Sequence, residues 1–357
     1  MNHKVLIRCD GAPEIGFGHV FRCLALADEL RNQNNCQVEF AMLHGPQGIK
    51  QVKENGYCVH QPINKYPNPP LESAWLQQLV KQTQAQVLLL DIRSALSVTA
   101  IKAIRATGIL IVSIDDPSDR RLQADLVFYP PVPQVARLDW TGFTGKKFVG
   151  WEWVLLRLDF QKYKAKPTGE TIRKQKTGEK LSPLTVLVTM GGSDPAGLTL
   201  VALKALDDID ENLHVIVVLG DSFMHERTMK EWLPNATRDY DLRRNITDMP
   251  RVMNEADFAI TSFGMTAYEL ACMGTPSIYL CLTEDHAESA EAFVKSGIGR
   301  SLGCYTNVDM ESISIQIKQF IANKQERKRM ATVASKTIDG LGATRIGKKI
   351  IHSAVDR

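Results

Sequence analysis

Glu14-Ile15-Gly16-Phe17-Gly18-His19 decides the fold, because it joins a short apolar run to an amphipathic one. The run before it, Val5 to Arg8, predicts a β-strand, and the apolar spacing after it predicts a helix over about Val20 to Arg31. Glycines in such a turn let the backbone approach a ligand, and the free N–H groups at a helix start favour an anion. The stretch therefore predicts a strand, a ligand-binding loop and a helix.

A histidine closes this loop. His19 can remove a proton at neutral pH or donate to a phosphate, so the loop can bind and also take part in chemistry. Two alternatives stay open on these residues alone. A turn with two glycines serves packing in many α/β proteins, and a loop histidine is often an ordinary surface residue. The spacing also lacks the full dinucleotide-binding fingerprint.

Length and composition limit the class of protein. At 357 residues the chain exceeds what one hydrophobic core usually serves, so two domains are expected. The formal net charge of +3 is too small to predict a nucleic-acid partner. The seven scattered cysteines, several in apolar stretches, are interpreted as small core residues. With no leader segment and no apolar run of membrane-spanning length, we expect a cytoplasmic protein without stable membrane insertion.

Strand-like runs continue through the N-terminal half. They are predicted at 38–43, 87–90 and 109–114, and the last two end in carboxylates, Asp91 and the pair Asp115-Asp116. Carboxylates at the C-terminal ends of parallel strands lie where doubly wound sheets bind ligands. The pattern predicts a Rossmann-like domain over residues 1–160.

Residues 161–183 lose all apolar periodicity and carry seven Lys or Arg residues against two Glu. A basic patch for a polyanion is one interpretation. We favour a solvated basic linker, because it explains the composition without a further partner.

A second α/β pattern fills residues 184–357, with strands predicted at 185–190, 214–219, 258–261 and 276–282 and helices at about 196–206 and 267–273. Small residues precede both helices, in Gly191-Gly192-Ser193-Asp194 and in Ser262-Phe263-Gly264-Met265-Thr266. We expect an α/β protein of two Rossmann-like domains facing each other across a cleft, with the last helix a candidate to pack back on the first domain.

The second of these loops predicts a nucleotide site. A helix start at Gly264 can hold a diphosphate through backbone N–H groups, and Glu269 is placed to accept hydrogen bonds from ribose hydroxyls. The alternative is a turn glycine followed by an ordinary exposed carboxylate. The predicted nucleotide contacts are Gly16, Gly18, Gly192, Ser193, Gly264, Met265, Thr266 and Glu269.

Several motifs together resemble those of the pseudaminic-acid pathway UDP-sugar hydrolases (UDP-2,4-diacetamido-2,4,6-trideoxy-β-L-altropyranose hydrolases). These enzymes share them with the spore-coat polysaccharide biosynthesis family, within the glycosyltransferase B fold. The motifs are Arg8-x-Asp10 with the opening loop, Arg22-Cys-Leu-Ala-Leu-Ala27, Ile114-Asp115-Asp116, Trp153-x-x-Leu156-Arg157, Gly191-Gly-Ser-Asp194, and Gly264-x-Thr266-x-x-Glu269-x-x-x-x-Gly274-x-Pro276.

The resemblance implies hydrolysis at an anomeric carbon. UDP would bind to the C-terminal domain, and His19 would activate the water that displaces UDP with inversion, in nonulosonic-acid or surface-polysaccharide biosynthesis. It implies no metal or other cofactor, and the sequence has no cysteine–histidine cluster at zinc spacing. Asp10, Glu14 and Asp91 are secondary candidates for orienting His19 or contacting the sugar.

Two positions depart from the hydrolase pattern in ways that bear on the sugar. Arg93 stands where the hydrolases usually have tyrosine, and Asp285 stands where they usually have asparagine. Both would change the charge and hydrogen bonding around the substrate, so both are candidate substrate residues. A glycosyltransferase that uses a nucleotide-sugar donor is the alternative function, and a non-catalytic nucleotide-sugar binding subunit is the third.

Overall fold

The computed structural model describes residues 3–12, 16–43, 45–63, 68–164, 183–244 and 246–357. The chain divides into two compact α/β units. Unit 1 comprises Met1–Pro131, Val135–Leu158 and Gly340–Arg357, and unit 2 comprises Val132–Gln134 and Asp159–Asp339.

Unit 1 is built on a seven-stranded parallel sheet in the order β3-β2-β1-β4-β5-β6-β7. The strands are β1 (Lys4–Cys9), β2 (Gln37–Ala41), β3 (Cys58–His60), β4 (Val87–Asp91), β5 (Leu110–Ile114), β6 (Leu126–Tyr129) and β7 (Lys146–Val149). The central strands are buried on both faces, which explains why they are almost continuously apolar. The strand order reverses between β1 and β4, and this switch point is where doubly wound sheets leave a crevice for ligands.

Helices cover this sheet. They are α1 (Gly18–Asn32), α2 (Pro46–Glu54), α3 (Pro69–Thr83), α4 (Val98–Arg105) and the C-terminal α13 (Gly342–Val355), whereas the short α5 (Leu158–Lys164) belongs to unit 2 except for its first residue. The last helix packs against α1, where Ile346 and Ile350 join the core beside Leu30 and Thr344 donates to Glu29 at 2.9 Å. Unit 1 therefore takes its core from both ends of the chain.

Unit 2 repeats the arrangement with a six-stranded parallel sheet in the order β10-β9-β8-β11-β12-β13. Its strands are β8 (Leu184–Thr189), β9 (Leu213–Val218), β10 (Tyr240–Arg243), β11 (Phe258–Thr261), β12 (Ser277–Cys281) and β13 (Arg300–Cys304). Its helices are α6 (Leu198–Asp207), α7 (Glu226–Trp232), α8 (Met249–Glu255), α9 (Met265–Met273), α10 (Glu284–Lys295), α11 (Met310–Ala322) and α12 (Lys324–Thr337). The switch point of this sheet lies between β8 and β11.

The predicted α/β class is confirmed, and each strand and helix named from the sequence is present with its ends moved by a few residues. The predicted linker differs at its start, because residues 161–164 complete α5, where Lys164 donates to the carbonyls of Ser335 and Ile338. The rest of it, residues 165–182, lies outside the described ranges. Within those ranges, no helix is both long and apolar enough to cross a membrane.

Candidate functional site

The start of α1 and the end of β4 bring a histidine and an aspartate together at the switch point of unit 1. His19 lies in the first turn of α1, and its Nδ1 is 2.6 Å from Oδ1 of Asp91, the last residue of β4. The Asp91 side chain is fully buried, whereas 13% of the His19 side chain is exposed. The pair thus joins a buried carboxylate to an imidazole that a ligand can reach.

Arg22, one turn further along α1, holds the same carboxylate. Its Nε donates to Oδ2 of Asp91 and its Nη2 donates to Oδ1, both at 2.5 Å. Burial alone would raise the pKa of Asp91, but the Arg22 guanidinium, helped by His19, outweighs burial and holds that pKa well below its usual range. Asp91 is therefore ionised at neutral pH.

The ionised carboxylate determines which nitrogen of His19 carries the hydrogen. A carboxylate only accepts, so Nδ1 donates to Asp91, and in the neutral ring Nε2 is then the basic nitrogen. The 3.1 Å approach between Nη2 of Arg22 and Nδ1 of His19 is accordingly a contact between two donors that share one acceptor. Among the described residues Nε2 has no hydrogen-bond partner, so the ring is oriented to accept a proton there.

Asp115, directly after β5, extends this network. Its φ of 50° lies in the left-handed region, which is rare for a residue other than glycine and is common at functional sites. Its Oδ2 accepts from Nη1 of Arg22 at 3.2 Å and from Nη2 of Arg93 at 3.1 Å. Arg93 also donates to the Asp115 carbonyl, and 41% of its side chain is exposed. Arg93 is therefore linked to His19 through charged side chains.

The other predicted residues of unit 1 are placed differently. Asp10 is buried, and its carboxylate accepts from Arg8 at 2.6 Å and from the N–H of Leu43 at 2.7 Å, so it ties the end of β1 to the segment after β2. Gly16 has a φ of 77°, and a Cβ there would meet nothing within 4 Å. Gly18 is the first residue of α1, whose N-cap makes no side-chain hydrogen bond.

Glu14 lies outside the described residues, so its prediction stands as made from the sequence. Arg22 is the site residue that sequence reasoning missed. Its spacing of three from His19 puts both side chains on one face of α1, which is the one local signal in the sequence, but this spacing does not identify the carboxylate that Arg22 contacts.

In unit 2 the start of α9 is open. Gly264 is its N-cap and offers no capping side chain, so the N–H groups of Met265 and Thr266 have no acceptor among the described residues. A Cβ at Gly264 would meet nothing within 4 Å, and its φ of 162° is extended backbone that any residue adopts. The helix start therefore presents N–H donors and a partial positive charge to free space.

The neighbouring helix start, that of α6, is closed by its own carboxylate. Asp194 is buried, and its two oxygens accept from the N–H groups of Leu198 at 2.8 Å and Thr199 at 2.9 Å. The carbonyls of Gly192 and Ser193 accept from backbone N–H groups of the loop after β9. Since the α6 donors are already used, an anion at this switch point is favoured at α9.

Two further predicted residues lie on the helices that follow. Glu269 is half-buried, one turn into α9. Asp285 lies in the first turn of α10, where its carbonyl and Oδ1 accept from Nε2 of Gln134 at 3.0 and 3.1 Å. Between the two helices, the Phe263 ring packs at 5.2 Å from that of Phe293, which fixes the loop before α9.

Two parallel-sheet Rossmann-like units with these strand orders define the glycosyltransferase B fold, and solved structures agree. MurG of Acinetobacter baumannii superposes with a TM-score of 0.71 at 18% identity, over 98% of this chain and 99% of that one. The C-terminal part, residues 185–345, matches the family model described as the glycosyltransferase family 28 C-terminal domain.

Three curated proteins align with most of this chain. SpsG of Bacillus subtilis, named a spore coat polysaccharide biosynthesis protein, is 23% identical over 95% of each chain. The UDP-N-acetylglucosamine–N-acetylmuramyl-(pentapeptide) pyrophosphoryl-undecaprenol N-acetylglucosamine transferase of Acidithiobacillus ferrooxidans is 26% identical over 99% of each chain. An uncharacterized protein of Methanocaldococcus jannaschii is 28% identical, and the match spans 58% of its length.

A fourth relative is a Helicobacter pylori protein named as a pseudaminic acid cytidylyltransferase and UDP-2,4-diacetamido-2,4,6-trideoxy-β-L-altropyranose hydrolase. It is 30% identical over 135 residues, which is 38% of this chain and 24% of that protein. The likeness to a named hydrolase is therefore partial.

Proposed function

We propose that this protein is a nucleotide-sugar enzyme of surface-polysaccharide biosynthesis that transfers the sugar of a UDP-sugar to an acceptor hydroxyl. The observation that carries this proposal is the His19–Asp91 pair, whose orientation leaves Nε2 of His19 as a base. The open start of α9 in unit 2 supplies the complementary anion site.

The nucleotide binds through unit 2. The N–H groups at the start of α9 hold the diphosphate, with Gly264 leaving room for it, and Glu269 accepts hydrogen bonds from the ribose hydroxyls. Gly192 and Ser193 border the same switch point. These donors also stabilise the negative charge that UDP gains as it leaves. The family 28 match over residues 185–345 supports this assignment.

The chemical step belongs to His19. The acceptor hydroxyl gives its proton to Nε2 while its oxygen bonds to the anomeric carbon. The bond from that carbon to the diphosphate oxygen breaks, and UDP departs with the electron pair. The imidazolium that forms is stabilised by the Asp91 carboxylate, which Arg22 keeps ionised and fixed. The groups that handle the proton in this step are side chains of unit 1.

The comparisons support transfer better than the hydrolysis expected from the sequence. The transferase relative aligns over 99% of the chain, whereas the hydrolase relative aligns over 38%. Hydrolysis is the second candidate, favoured by the motifs of the opening loop, and it differs only in that water takes the place of the acceptor hydroxyl.

The test is release of UDP from a panel of UDP-sugars, with and without lipid-linked or soluble saccharide acceptors. Transfer predicts slow release alone and rapid release with the matching acceptor. Rapid release without acceptor, with ¹⁸O from labelled water in the sugar and none in UDP, would select hydrolysis instead. UDP binding without release under any condition would contradict both and leave a binding subunit.

A further inference from the structure

Three side chains of metal-binding type meet at the edge of the unit 1 sheet, apart from the residues assigned above. Glu39 lies on β2, and Cys58 and His60 lie on β3, the edge strand. The parallel register pairs Glu39 with Cys58. Because side chains alternate along a strand, His60 shares a face with Cys58. The sheet register thus places a carboxylate, a thiol and an imidazole side by side.

The distances fit one small ion. Oε2 of Glu39 is 2.6 Å from Nε2 of His60, Sγ of Cys58 is 3.8 Å from the same nitrogen, and all three ligand atoms lie within 4.8 Å of one another. Donors around a tetrahedral zinc ion lie about 3.3 to 3.6 Å apart. The carboxylate and imidazole therefore need to separate by roughly 0.7 Å, a side-chain adjustment.

The three side chains are also accessible to an ion from solvent. Cys58 is exposed, and 21% of the Glu39 side chain and 31% of the His60 side chain are exposed. An ion can therefore reach the three atoms from solvent, and water can fill a fourth position. Each of the other six cysteines is buried, so Cys58 is the one thiol that a metal ion in solution meets readily.

We propose that Glu39, Cys58 and His60 bind a single divalent transition-metal ion of the Zn²⁺ class. Thiolate and imidazole ligands select such ions over Mg²⁺ and Ca²⁺. The ion takes the place of the hydrogen that now lies between Glu39 and His60, so binding releases protons. A partly exposed pair between Glu39 and His60 alone contributes little to stability, and it does not involve the adjacent Cys58 thiol.

The position predicts a structural effect of the ion. It would join β3 to β2 at the edge of the sheet, where β3 has only three residues. Just beyond Glu39, the N–H of Met42 donates to the His60 carbonyl and the N–H of Leu43 donates to Asp10. A metal clamp here would stabilise the segment that Asp10 ties to the end of β1, and the melting temperature of the protein should rise when the ion binds.

Co²⁺ tests the site, because cobalt bound to a thiolate gives a near-ultraviolet charge-transfer band that an oxygen or nitrogen site lacks. We expect this band with one equivalent of Co²⁺, its loss on adding Zn²⁺, and protection of Cys58 from alkylation by Zn²⁺. Cys58→Ser should abolish the band, and His60→Gln or Glu39→Gln should weaken cobalt affinity at least about tenfold.

His352→Gln is the matched control, because His352 and Asp356 form a comparable exposed pair at 3.5 Å without a thiol. That variant should keep the band and the affinity. Absence of the band in the wild-type protein, or its persistence in Cys58→Ser, would overturn the proposal. Circular dichroism of each variant establishes that it is folded, and these readouts do not depend on the enzyme's activity.

Discussion

The two units repeat one strand order but place opposite kinds of groups at their switch points. Unit 1 has buried or half-buried charges there, with Asp91 and Asp115 bonded to Arg22. Unit 2 has glycine, serine and threonine there, and Asp194, the one buried carboxylate among the residues described in that unit, caps α6. Under the proposed function, the same architecture supplies a proton-handling edge in one unit and an anion-binding edge in the other, so the loops rather than the fold would determine the chemistry.

Electrostatics give a physical reason for separating the two proposed roles. A carboxylate beside a diphosphate would repel it, so the α9 edge carries neutral N–H donors. A base such as His19 needs a fixed anion behind it, and a buried anion in turn needs a cation. Arg22 meets that need in unit 1. Each of the following predictions removes one of these features and measures whether the other unit is affected.

The largest effect is expected for His19→Asn. The variant loses the basic nitrogen but keeps a polar side chain near Asp91, so kcat should fall by about 100-fold or more while UDP affinity stays nearly unchanged. Steady-state kinetics and calorimetry with UDP measure the two quantities. His214→Asn, at an exposed histidine of unit 2, is the control. Wild-type turnover of His19→Asn would show that His19 is not the catalytic base.

Gly264→Val tests the proposed diphosphate site at the start of α9 in unit 2. Because a Cβ at Gly264 meets nothing within 4 Å and the backbone is extended, the variant should fold normally. Its branched side chain should fill the space in front of α9 and weaken UDP binding by roughly 3 kcal/mol, or about 100-fold. Gly299→Ala is the contrasting control, since its Cβ would lie 2.3 Å from the Tyr279 ring and should lower stability. Unchanged UDP affinity in Gly264→Val would place the diphosphate elsewhere.

Glu269→Ala should have a smaller effect on the same equilibrium. Loss of charge-assisted hydrogen bonds to the ribose predicts UDP binding weaker by roughly 1 to 3 kcal/mol. Binding of inorganic pyrophosphate, which lacks a ribose, should not change. Equal loss of affinity for UDP and pyrophosphate would show that Glu269 does not recognise the ribose.

Much of this arrangement was predictable from the sequence. Buried parallel strands are mostly apolar, so β1, β4 and β8 are easily recognised in the sequence, and Asp91 stands out as the charge that ends such a run. The role of Arg22 was not predictable, because nothing in the local sequence shows which carboxylate an arginine on a helix contacts. The short β3 was not predicted for a related reason, because its three residues are recognisable as a strand only when they are paired with β2. The Glu39–Cys58–His60 cluster therefore depends on the register between these two strands.

Arg22→Met separates orientation from chemistry. Removing the guanidinium leaves Asp91 paired with His19 alone, which favours the protonated ring, so the acidic limb of the pH–rate profile should move to higher pH by about one unit. Arg22→Lys, which restores the charge, should move it back. Arg31→Met on the same helix is the control. An unmoved profile would mean that Arg22 only stabilises the fold.

The same variant has a stability signature with a defined sign. The folded-state pKa of Asp91 lies below its unfolded value, so the ion pair stabilises the protein above about pH 4 and this contribution is lost as the pH falls towards the folded pKa. The difference in unfolding free energy between wild type and Arg22→Met should therefore be largest near neutral pH and should shrink in acid. Denaturant titrations at several pH values measure it.

The smallest effect is expected for the double variant Arg93→Tyr with Asp285→Asn. This variant tests which acceptor takes the sugar. Arg93 is 41% exposed, and the asparagine oxygen at position 285 can still accept from Gln134, so the double variant should fold. If these two charges suppress attack by water, UDP release without acceptor should rise about fivefold, in line with the roughly 1 kcal/mol that an exposed charge contributes. Arg227→Tyr, at a 92% exposed arginine, is the control. A rise in acceptor-free release with no change in UDP affinity would mean that side chains in both units choose the acceptor, whereas unchanged release would leave that choice to residues other than these two.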